Sequence, residues 1–302
     1  MSIAEDQNSL RAHAGIDRVV CARGGVEETG FIMVGRIVVG TDFRAEADRA
    51  IDRALKLAEQ WDAEVVLVHA LDPALGEPPP WSELDRRMRS VLPETDTKIT
   101  FRYPIERADY AIASVAEEVE ASLIVIGVAR FNSMKDYLLG TAVDYVIRHS
   151  PVPVLVVKNR PRYPYDSIAC ATDFYPPSRV ALKKAAEMFP KAGIQLIHAY
   201  HVPFEGWQNA DYVRKDVEKA ERKVFSEFLD ELDGETRKRV TSHLVYGSTG
   251  GALRKDLRES EAELLVLGTH GESALRHATI GSTANELLGS LPIDTLVVKG
   301  NE

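Results

Sequence analysis

The chain reads as an α/β protein of two tandem domains, each a parallel sheet with helices on both faces, and three observations predict this. Short apolar, β-branched runs alternate with stretches whose apolar residues recur every three or four positions, the pattern of strands that return through helices. The same ordered blocks occur twice. Thr41, Asp42 and Phe43 recur as Thr172, Asp173 and Phe174; Leu67 to Ala70 as Leu196 to Ala199; Gly127 as Gly268; Gly140 and Thr141 as Gly281 and Ser282; Leu155 to Lys158 as Leu296 to Lys299. Lastly, 45% hydrophobic residues is enough apolar material to bury a core in each half.

Taken in order, residues 1–32 match nothing in the second half and open MSIAEDQNSL, acidic where a secretory signal is basic; they are expected to form a poorly ordered extension. The first domain, 33–160, offers the strands RIVVGTD, EVVLVHA, KITFRY, LIVIGV and VPVLVV. Between them lie the helical patterns AEADRAIDRALKLAEQ, SELDRRMRSVL, ERADYAIASVAEEVE and GTAVDYVIRH. NRPRYPY, 159–165, has the proline, basic charge and lack of period of a linker. The second domain, 161–302, repeats the order. Its strands are SIACATD, IQLIHAY, VTSHLVY, LLVLGT and TLVVK; its helices are SRVALKKAAEMF, a long charged one near Asp211 to Leu232, GALRKDLRES and GSTANELLGS. The offset between the halves grows to 141 residues from Gly127 onward, so about twelve extra residues precede or lie within the long helix.

A formal net charge of -9 argues against a partner bound through nucleic-acid phosphates, which needs clustered Lys and Arg. No apolar run approaches the ~18 residues of a membrane span. Cys21 sits in a polar stretch and Cys170 in an apolar run, so a structural disulfide is not expected and a reducing, cytoplasmic setting fits.

The chemistry concentrates in GTHGESALRHATIGST, Gly268 to Thr283, directly after LLVL and directly before a helical pattern. Glycines allow close backbone approach, and a helix N-terminus attracts anions with its free N–H groups and dipole, so this is a place for phosphate. Bland readings stand beside it. Asp173 could cap the helix that follows it, and Ser282 and Thr283 could cap theirs without a ligand. His270, between two glycines, could touch a terminal phosphate or merely be exposed. His69 and His198 read as hydrogen-bonded histidines near the core. His198 and His201 lie on one extended segment with no third ligand nearby, which makes a zinc site a poor fit. No serine or cysteine stands in a nucleophile elbow or beside a base.

These residues resemble the universal stress protein superfamily in its tandem two-domain form, over Arg36 to Lys299. The resemblance rests on the strand-end Thr-Asp pair, the His-Ala end of strand two, the GxxG frame followed after nine residues by Gly and Ser or Thr, and the terminal PVxVV-like strand. It implies a five-stranded parallel sheet of order 3-2-1-4-5, with ligands at the strand C-termini where the order reverses. It further implies ATP, or AMP or ADP, with Mg2+ accompanying ATP, held by Thr172, Asp173, Ala199, Leu267, Gly268, Gly271, Gly281, Ser282 and Thr283. Family members commonly pair domains through strand five, which implies pairing of the two halves within the chain and allows a homodimer.

The first half departs from the frame. Gly127, Gly140 and Thr141 keep register in GVARFNSMKDYLLGT, but Arg130 stands where Gly271 does, either filling phosphate space or offering a guanidinium to an anion; Pro104 replaces the Gly247 region. The resulting expectation is an adenine-nucleotide-binding regulatory protein of the stress-response type, with the second domain as principal site and an unidentified protein partner. A slow ATPase and a ligand-free chaperone or scaffold remain as alternatives. The chain has no GxxxxGK(S/T) loop of efficient NTPases.

Overall fold

A computed structural model of the protein describes residues 18–20, 35–128, 130–133, 136–138, 140–202, 210–269 and 281–300. It divides into two compact units: one runs through Arg130 and resumes over Leu139–Pro164, the other takes Phe131–Leu138 and the chain from Tyr165.

The first unit carries β1 (Arg18–Val20), β2 (Arg36–Gly40), α1 (Ala45–Trp61), β3 (Glu64–Val68), a 3-10 turn at Pro73–Leu75, α2 (Trp81–Ser90), β4 (Ile99–Arg102), α3 (Ala108–Glu118), β5 (Leu123–Gly127), α4 (Gly140–His149) and β8 (Val154–Val157). Its sheet runs β1-β4-β3-β2-β5-β8, so the five strands expected from the sequence lie in the order 3-2-1-4-5 and are parallel. The sixth, β1, is antiparallel to β4 with Arg18 opposite Phe101; no apolar period announces it in the sequence. Central strands are apolar because both their faces are covered: Ile37, Val38 and Val39 have no solvent exposure. Helix α1 stops where Asp62 turns left-handed at φ 52° and returns its N–H to the Ala58 carbonyl. Within the glycine frame of this half, Arg130–Ser133 (β6) and Asp136–Leu138 (β7) form a two-stranded sheet where the sequence suggests only a loop.

The second unit repeats the plan with β9 (Ser167–Ala171), α5 (Pro176–Met188), β10 (Gly193–Tyr200), α6 (Ala210–Asp230), α7 (Gly234–Arg239), β11 (Val240–Tyr246), α8 (Thr249–Glu259), β12 (Leu264–Thr269), α9 (Ser282–Ser290) and β13 (Asp294–Lys299). Its strands lie β13-β12-β9-β10-β11, again parallel and again 3-2-1-4-5. On one face Leu265 and Leu267 pack with Leu253 and Leu257 of α8 and Ala284, Leu287 and Leu291 in and just after α9; Ala199 joins the same cluster. The long helix α6 is charged outside, with Arg222 gripping Glu218 one turn earlier, and apolar inside through Phe225, Phe228 and Leu229. The short α7 is set by Asp233, whose carboxylate accepts from the N–H groups of Glu235 and Thr236.

Candidate functional site

In the second unit the strands part where the order reverses. The β9–β12 ladder runs from Ile168–Leu264 to Cys170–Val266 and stops. On their other sides both strands continue, β12 beside β13 to Thr269–Lys299 and β10 beside β9 to Ile197–Ala171. A crevice therefore opens at the C-terminal ends of β9 and β12, the position where α/β sheets hold ligands.

One wall is the turn after β9. Thr172 is buried, and its groups are all engaged: its N–H donates to the Ile197 carbonyl at 2.9 Å, its carbonyl accepts from His198 Nδ1 at 2.8 Å, and its hydroxyl accepts from the Phe174 N–H at 2.9 Å. That hydroxyl also meets Ser178 Oγ at 2.9 Å, and Ser178 in turn donates to the Tyr175 carbonyl. Thr172 therefore builds the turn. Asp173 is exposed and accepts from the Tyr175 N–H through Oδ1 at 3.1 Å, leaving the second carboxylate oxygen toward solvent. It is not the helix cap: Tyr175 is, without a side-chain bond, and Pro176 starts α5.

Phe174 is held at φ 66°, a conformation a bulky side chain rarely takes. Its ring lies 4.3 Å from the His198 ring and 5.2 and 5.6 Å from Phe225 and Phe228 of α6, so aromatic packing retains the strained backbone. Glu221 of the same helix brings a carboxylate oxygen 3.5 Å from His198 Nε2. Neither Phe174 nor Glu221 is marked by the sequence as part of a site, although the recurrence of Phe43 as Phe174 is the one visible signal.

Ala199 lies past the last β9–β10 pair. Along a strand alternate residues turn their amides to the same neighbour, and Ile197 gives its carbonyl to Thr172, so the Ala199 amide and carbonyl face the crevice. Leu267 is buried beneath it in the α8–α9 cluster. Gly268 has a packing reason of its own: a Cβ there would stand 2.6 Å from the Pro177 carbonyl oxygen and 3.0 Å from the Ser178 nitrogen. Gly300, on the neighbouring strand's continuation, would likewise meet Pro177 Cα at 2.7 Å. The two glycines form a flat seat for the start of α5.

The other wall is α9. Gly281 is its N-cap residue and makes no side-chain cap, so Ser282 and Thr283 lie inside the helix rather than at its cap. Thr269, at the end of β12, is 4% exposed and its hydroxyl has no hydrogen-bond partner among the described residues. Gly271 and His270 lie outside the described residues.

The first unit repeats the turn with different surroundings. Phe43 stands at φ 62°, Thr41 accepts from its N–H at 3.0 Å, Asp42 accepts from Arg44 at 3.0 Å, and His69 Nδ1 donates to the Thr41 carbonyl at 2.9 Å. Here α2 supplies a cation: the Arg87 guanidinium carbon is 5.1 Å from the Phe43 ring centre. Burial, aided by Arg87, holds His69 below its ordinary pKa despite the hydrogen bond to Thr41. After strand three, Gly247 takes φ 138° and donates to the Tyr200 carbonyl, whereas Pro104, in the corresponding region of the first half, can donate nothing. Arg130 lies in β6 and Gly140 and Thr141 open α4.

Among the described residues no three His, Cys, Asp or Glu side chains are arranged to hold a metal ion, and no helix is long and apolar enough to cross a membrane. Cys170 is buried in β9, and desolvation pushes its thiol up to about 12.

Comparison with known proteins agrees with this architecture. The model of the universal stress protein family matches residues 33–158 and again 164–299. A universal stress protein of Mycolicibacterium smegmatis is 23% identical over 290 residues, spanning 87% of this chain and 96% of its own length; one of Mycobacterium tuberculosis is 21% identical over 289 residues with the same coverage. The crystal structure of a universal stress protein from Archaeoglobus fulgidus shares the fold at a TM-score of 0.62 and 17% identity, covering 89% of this chain and 100% of that one. With two consecutive matches that take in most of its length, the chain belongs to the universal stress protein family, in the tandem two-domain form.

Proposed function

We propose that this protein binds an adenine nucleotide in its second domain, residues 161–302, and uses it as a regulatory signal in a stress response. The observation that carries the reading is the crevice beyond Cys170 and Val266, walled by the uncapped start of α9 on one side and the turn carrying Asp173 on the other. A helix N-terminus opened by a glycine without a side-chain cap suits phosphate, and an exposed carboxylate oxygen suits ribose hydroxyls. In this reading Asp173 takes the ribose, the backbone of Ala199 takes the adenine edge, and Leu267 floors the base. Gly268, Gly271, Gly281, Ser282 and Thr283 receive the phosphates, Thr172 holds the turn, and Mg2+ accompanies ATP.

The first domain, 33–160, keeps the turn but brings Arg87 toward it and replaces a frame glycine by Arg130, so the second domain is the main site. Calorimetric titration of nucleotide-stripped protein with ATP is expected to give about one site per chain, and Asp173→Ala to weaken it by about tenfold or more, the loss of a hydrogen bond to a charged group. No detectable binding of ATP, ADP or AMP would overturn the reading.

A further inference from the structure

We infer that Glu221, on the crossover helix α6, is a positioning residue for the nucleoside end of the second-domain site, acting through His198; this rests on the nucleotide reading above. His198 stands where the two nucleoside contacts meet. Its Nδ1 donates to the Thr172 carbonyl at 2.8 Å, one peptide before Asp173, and its own carbonyl begins the peptide that leads to Ala199. The ring is largely buried, and on its other side Nε2 lies 3.5 Å from a Glu221 carboxylate oxygen. An imidazole held at one nitrogen can still swing about that bond. Held at both, it fixes the Thr172 carbonyl and, through that peptide, the direction in which Asp173 leaves the turn. Helical spacing places the carboxylate for this: Glu221 lies one turn before Phe225, and Phe225 and Phe228 pack against the Phe174 ring at 5.2 and 5.6 Å, so one face of α6 both closes over the turn and carries the acid.

The first half separates this role from folding. Its turn makes the same hydrogen bonds with nearly the same backbone, φ 62° at Phe43 against 66° at Phe174, and His69 Nδ1 donates to the Thr41 carbonyl at 2.9 Å. There α2 brings the Arg87 cation to the Phe43 ring, and its charge opposes a proton on His69. The turn therefore forms beside a cation as well as beside a carboxylate. The half whose frame keeps Gly268, Gly271 and Gly281 is the one in which the helix offers the histidine an acceptor. The carboxylate thus goes with the ligand and not with the fold.

Glu221→Leu removes the acceptor and keeps a helix-forming side chain, while Glu221→Gln keeps a group that can accept from Nε2 or donate to it. Both variants and the wild-type full chain, stripped of nucleotide, are titrated with adenosine, ATP and tripolyphosphate. They are also melted without ligand, and their histidine rings are followed by nitrogen-15 NMR. Glu221→Leu is expected to bind adenosine and ATP about three- to tenfold more weakly, by the same factor for both, with tripolyphosphate unaffected. Its empty melting midpoint should stay within about 2 °C of wild type, and the His198 Nδ1 proton should broaden through exchange with water. Glu221→Gln should match wild type in every measurement. Unchanged adenosine affinity in Glu221→Leu, an equal loss for tripolyphosphate, an unaltered His198 signal or a variant that no longer folds overturns the inference while leaving nucleotide binding in place, as does Glu221→Gln binding as weakly as Glu221→Leu. Failure of wild type to bind adenosine or ATP overturns both.

Discussion

Replacing Gly268 by alanine separates two reasons for a glycine at the end of β12. The added Cβ would stand 2.6 Å from the Pro177 carbonyl oxygen, 2.7 Å from its carbonyl carbon and 3.0 Å from the Ser178 nitrogen, all backbone atoms that no rotamer change can move. Ordinary carbon contacts begin near 3.5 Å, so β12 and the start of α5 must separate by close to an ångström. Overpacking of this kind costs about 1–3 kcal/mol, and the upper part of that range applies because backbone stands on both sides. At ~2–4 °C per kcal/mol for a unit of this size, the second unit's melting midpoint should fall by about 5–10 °C. Differential scanning calorimetry of nucleotide-stripped protein measures it, with Pro177→Ala as a companion that leaves the Gly268 contacts intact and does not rescue the variant. An unchanged midpoint would refute the packing argument and leave phosphate approach as the only reason for the glycine.

Phe174→Ala removes three ring contacts from a half-buried aromatic cluster without relieving its positive φ, so a loss of about 2 kcal/mol is expected by denaturant titration, and Phe174→Gly should lose less than its missing ring suggests. His69 holds its proton less tightly in the folded unit than in the unfolded chain, where it titrates near 6.5, so the unfolded state binds more protons below that pH. The stability His69 contributes is present above pH 6.5 and is lost as the pH falls below it; His69→Asn should flatten the melting midpoint between pH 7.5 and 5.5, and an unaltered slope would contradict this. A chain beginning at Met33 loses, among the described residues, the three β1 pairs on β4, and its midpoint should drop by no more than about 3 °C in a thermal melt.

The two parallel sheets were legible because each depends on patterns that burial imposes on a sequence. Ile37 to Val39 and Leu264 to Val266 are apolar without alternation since both faces of their strands are covered. The strand order came from family resemblance, as nothing in the runs themselves says which strand pairs with which. The site was legible only in outline. Gly268 stood out as a glycine, but its seat against Pro177 joins residues far apart in sequence. The positive φ of Phe174, repeated at Phe43, belongs to a turn whose hydrogen bonds come from the end of the second strand, a contact between residues distant in sequence. The edge strand β1 has three residues and no period to detect.

The Thr-Asp-Phe turn draws its hydrogen bonds from the ends of the first two strands, while the charge beside it comes from the crossover helix, Arg87 in one half and Glu221 in the other. Shape and polarity thus reside on separate stretches of chain. A substitution on the crossover helix can therefore change the charge beside the turn while the hydrogen bonds that shape it stay in place.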